Sequence, residues 1–61
     1  MTDEQLIEEV YQDTVERMCS QLFNVLLVSQ NGAEREEAEQ RFQAGVLKAR
    51  EARDRAKKLL T

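Results

Sequence analysis

Residues 23–40 read FNVLLVSQNGAEREEAEQ, and five of the first six are apolar. Asn31-Gly32 then breaks the pattern, and charged residues follow. Asn-Gly between alternating apolar flanks would signal a β-hairpin. The left flank, VLLV, fits a strand. The right flank, AEREEAEQRF, does not alternate and is built from strong helix formers. Upstream, apolar residues recur at Ile7, Val10, Tyr11, Val15, Met18, Leu22, Val25 and Leu26, in steps dominated by three and four residues. That is the helical period. Asn31-Gly32 therefore separates two helices.

The spacing predicts helix 1 over about 3–30, a turn at 31–32 and helix 2 over about 33–60, in a single domain spanning 1–61. Thr2 and Gln5 have capping-box spacing, with Asp3 and Glu4 in the first turn where the helix dipole favours acids. At the turn, Gly32 suits a left-handed end to helix 1. Asn31 suits the N-cap of helix 2, with Glu34 three residues on. The two roles compete for the same pair of residues. So short a link folds the helices back antiparallel.

Helix 2 has a 4-3 seam of Ala38, Phe42, Gly45, Ala49, Ala52, Ala56 and Leu59, the a/d spacing of a coiled coil. Most of these residues are small. Charge agrees with a hairpin. Residues 1–16 hold six acids and no base, while residues 46–61 hold six bases and two acids. Folding back places these ends side by side. Asp13–Arg17, Glu37–Arg41, Glu51–Arg55 and Asp54–Lys58 each have the acid-to-base i,i+4 order that supports a helix.

With 61 residues the chain forms at most one small domain, which is marginal alone. Small domains add disulfides, metals or association. One cysteine and no histidine exclude an internal disulfide and the usual zinc sets. Association remains. Helix 1 supports it, because its apolar arc, with Val10 and Cys19 at the edges, is wider than one facing helix covers. Phe23 and Leu27 lie one turn apart outside that arc. They are either tucked under the turn, left exposed, or part of a second interface. The fold expected is all-α: an antiparallel two-helix hairpin pairing into a four-helix-bundle dimer. The protein-interaction residues expected are Tyr11, Met18, Leu22, Phe23, Leu26, Leu27, Phe42 and Val46. Cys19 reads as a small core residue, as a neighbour of its twin across a dimer axis or, least well, as a reactive thiol, since no histidine activates it.

The function expected is a non-enzymatic interaction module, self-associating, with a structural or adaptor role. Acid–base and nucleophilic chemistry lack their usual residues, and no glycine-rich phosphate loop occurs. No cofactor, metal or small-molecule substrate is expected. Asp3, Glu4, Glu8, Glu9 and Asp13 read as a solvated helix face. Arg50, Arg53 and Lys57 share a basic face of helix 2 and are the candidates for nucleic-acid binding. The net charge of −3 argues against that role, since a basic footprint dominates phosphate-binding domains. The longest apolar run, Val25–Val28, is too short to cross a membrane. A lone free thiol and an acidic N-terminus without signal-peptide features predict a cytoplasmic protein. In length and in its acidic first helix the layout resembles the small helical-hairpin co-chaperones of type III secretion systems. That resemblance implies an alternative, in which the apolar face serves a heterologous protein.

Overall fold

Thr2 opens the first helix. Its hydroxyl accepts from the Gln5 amide at 3.2 Å, and the Thr2 amide donates to Gln5 Oε1 at 2.9 Å. This closed capping box starts α1 (Asp3–Val28), with Asp3 and Glu4 in the first turn. A second helix, α2 (Gly32–Leu60), completes the fold. The computed structural model describes residues 1–60, and both elements are helical and pack against each other.

The turn differs from expectation in two ways. Helix α1 ends at Val28 rather than near Gln30. Ser29 leaves the helix in an extended conformation (φ −83°, ψ 135°), although its amide still donates to Val25 O at 2.8 Å. Gly32 is not a left-handed terminator. No glycine has positive φ, and Gly32 is the first residue of α2. The competition at Asn31-Gly32 resolves in favour of the N-cap. Asn31 Oδ1 accepts from the Ala33 amide at 2.9 Å and from the Glu34 amide at 3.4 Å. Glu34 does not close a capping box. Ser29 comes between, accepting from the Asn31 amide at 3.2 Å and donating its hydroxyl to the Glu34 carboxylate at 2.7 Å.

Helix α1 has no base in its last turn, so its terminal carbonyls lack a local cation. Arg35 supplies one from α2. Its guanidinium Nη1 donates to Leu26 O at 2.8 Å and to Ser29 O at 3.2 Å. Arg35 is half-buried under the turn, where the negative end of the α1 dipole adds to these bonds. Hydrogen bonds to charged groups contribute about 1.5–3 kcal/mol. Arg35→Leu is therefore expected to cost about 1–2 kcal/mol, read as a lower midpoint in urea unfolding. An unchanged midpoint would show that water satisfies those carbonyls equally well.

Contacts far apart in sequence fix the antiparallel arrangement. Lys57 Nζ donates to Glu8 Oε1 at 2.5 Å, and the Arg53 guanidinium lies 4.6 Å from the centroid of the Tyr11 ring. Midway along, Gly45 lies against Met18, so close that a Cβ on Gly45 would stand 2.5 Å from Met18 Sδ. The acidic start of α1 and the basic end of α2 thus lie side by side.

The seam of α2 departs from the expected 4-3 spacing at its C-terminal end. Ala38, Phe42, Gly45, Ala49 and Ala56 are half-buried, but Ala52 and Leu59 are exposed and Arg53 takes a place at the seam. A nearly straight helix turns every 3.6 residues, so a 3.5-residue repeat drifts off the contact line over several turns. The hairpin forms a slab with Cα extents of 46 × 18 × 6 Å. No described residue is fully buried. Two helices side by side form one layer, and a domain core needs a second.

Candidate protein-interaction surface

The eight residues expected to mediate interaction separate into two groups. Tyr11, Met18, Leu22, Leu26, Phe42 and Val46 are half-buried along the helix–helix seam. Phe23 and Leu27 are 64% and 80% exposed. They are not tucked under the turn. At about 100° per residue, Phe23 projects from one broad face of the slab, between Cys19 and Leu27. Leu26 borders it toward the seam, while Val46 and the exposed Leu47 lie nearer the middle of the hairpin, close to the level of Met18 and Gly45.

The opposite broad face carries two grooves along the small-residue seam. One, of about 370 Å³, lies toward the termini and is lined by Leu6, Ile7, Val10, Tyr11, Ala49, Ala52 and Ala56 among others. The other, of about 220 Å³, is lined by Met18, Leu22, Val25, Ala38, Phe42 and Gly45 with Gln21 and Arg41. They exist because Ala and Gly bring the backbones together without filling the space between larger side chains on α1. The small-residue seam is legible in the sequence, whereas the exposure of Leu6, Val10 and Leu59 beside it is not.

Two of the three basic residues considered for nucleic acid are engaged within the chain. Arg53 covers Tyr11 and pairs with Asp54 at 3.1 Å, and Lys57 pairs with Glu8. Arg50 is exposed. Of the i,i+4 pairs, Arg41–Glu37 forms at 2.8 Å. Cys19 is a free, half-buried thiol. Among the described residues, no cluster of three or more metal-ligating side chains occurs, and no helix is long and apolar enough to cross a membrane.

The hydrogen bond from Lys57 holds the Glu8 carboxyl below its usual pKa of 4.5, reinforced by the Lys57 and Arg53 charges. A depressed acid stabilises the fold above its unfolded pKa. That contribution is lost as pH falls through the lowered folded value. Wild type should therefore melt higher than Glu8→Gln at neutral pH, and the gap should close in acid below the usual carboxylate range. A gap that persists in acid would assign it to packing of the Glu8 stem.

No known family model matches the chain, nor does any curated protein or solved structure.

Proposed function

We propose that this chain is a self-associating helical hairpin, a structural or adaptor module whose second layer is another copy of itself. One observation supports the reading above all. The folded hairpin buries no described residue fully and leaves 5129 Å² of surface accessible. A compact protein of its 7.1 kDa mass would expose about 4,100 Å². The excess, about 1,000 Å², is close to the roughly 800 Å² that each partner contributes to a standard interface. The radius of gyration of 14.3 Å exceeds the roughly 10.5 Å of a compact chain of this length in the same sense. Pairing two slabs face to face turns two half-covered seams into one four-helix core.

The grooves beside Ala52 and Gly45 favour a second reading, in which an apolar helix of a heterologous protein lies along that face, as in an adaptor or co-chaperone subunit. Light scattering of the purified chain across micromolar concentrations separates the two. Self-association predicts a dimer without any other protein. A monomer at every concentration would favour the heterologous partner.

A further inference from the structure

Resting on the self-association just proposed, we infer that the second copy docks on the Cys19–Phe23 face, with the twofold axis running along the hairpin. This places α1 of each copy on α2 of the other and brings the two Cys19 residues opposite one another across the axis. The slab presents an area of about 46 × 18 Å, or on the order of 800 Å², which is what one partner of a standard dimer buries. Only a symmetric contact covers the same patch on both copies at once.

Charge selects the face. Glu8–Lys57 and Met18–Gly45 show which levels of the two helices correspond. On that scale Glu16 stands within a turn of Arg50, and both border the Cys19–Phe23 face. A twofold along the hairpin therefore sets Glu16 of one copy beside Arg50 of the other. On the opposite face, Arg17 and Lys48 flank the Met18–Gly45 level, so a second copy there would bring cations against cations. Such juxtapositions suppress an interface.

Charge also selects the axis. Glu16 lies at the middle of α1 (Asp3–Val28). An axis along the hairpin keeps turn beside turn and sets Glu16 against Arg50 of the other copy's α2. An axis across the hairpin would lay α1 on α1 and bring the two Glu16 carboxylates together. Cys19 lies on the wheel between the seam residue Leu22 and the outward Phe23, which aims it at the middle of the resulting bundle. Ser20, about 100° further round, points away.

The test uses the native thiol. The wild-type chain, shown to be dimeric by light scattering, is treated at micromolar concentration with a short bis-maleimide. A covalent dimer should form at least about tenfold faster than in Cys19→Ser with Ser20→Cys, because thiols facing across an axis react at a high effective concentration. Circular dichroism confirms that both chains are helical. A dimeric wild type that fails to crosslink, or equal rates in the two chains, would overturn this docking. A wild type that is monomeric would instead overturn self-association and the docking with it.

Discussion

Phe23→Ser combined with Leu27→Ser is expected to raise the dimer dissociation constant by at least about a hundredfold, equivalent to about 2.7 kcal/mol. Fully burying a large apolar side chain contributes about 1.5–3 kcal/mol. In the isolated hairpin both residues are mostly exposed, so that contribution becomes available chiefly on association. Each substitution also occurs twice per dimer. Helicity at high concentration should survive, because neither side chain fills the α1–α2 seam. Val10→Ser with Leu59→Ser removes comparable apolar surface from the grooved face and should leave the dissociation constant nearly unchanged. Sedimentation equilibrium on the two double variants gives the comparison. Equal effects would place the interface on both faces or on neither.

Gly45→Leu is expected to open the hairpin itself. Gly45 is helical and has no positive φ, so its value lies in its size. A Cβ alone would meet Met18 Sδ at 2.5 Å, and Met18 is flexible enough to yield. Alanine therefore weighs a gain of about 0.8–1.0 kcal/mol in helix propensity against displacement of the Met18 tip. Leucine has no such balance. Its whole side chain must force the helices apart, and overpacking of this kind typically costs about 1–3 kcal/mol. For a marginal hairpin that loss should abolish cooperative thermal unfolding by circular dichroism. Met18→Ala in the same chain should restore part of it, because the two sites share one space. A Gly45→Leu variant that melts like wild type would show that the helices do not approach closely at this level.

Much of this fold was legible in the sequence because several local signals agreed. The three- and four-residue steps from Ile7 to Leu26, the Thr2–Gln5 box and the opposed charge of the two ends all describe one hairpin. The details of the turn were not legible. Gly32 had a sound role at the end of the first helix and Asn31 at the start of the second, and Ser29, whose hydroxyl joins the Asn31 amide to Glu34, accompanies the N-cap outcome. Arg35 reads as one more surface charge in AEREEAEQ. Its bonds to Leu26 O and Ser29 O depend on where the chain reverses, a tertiary fact. The drift of the α2 seam at Ala52 and Leu59 has the same origin, since residue spacing fixes a period but not the line along which two helices touch.

The exposure of the candidate interaction residues was legible in part. Phe23 and Leu27 stood outside the main stripe and are exposed in the folded chain. Tyr11, Met18, Leu22, Leu26, Phe42 and Val46 are half-buried along the hairpin's own seam, and a hydrophobic pattern does not distinguish that use from contact with another molecule.

The measurement that bears most directly on self-association is solution mass by multi-angle light scattering, from low to high micromolar concentration, with helicity followed in parallel. Pairing through an exposed layer predicts a helical species of twice the 7.1 kDa chain mass that dissociates only on dilution. A well-folded monomer at every concentration would contradict it.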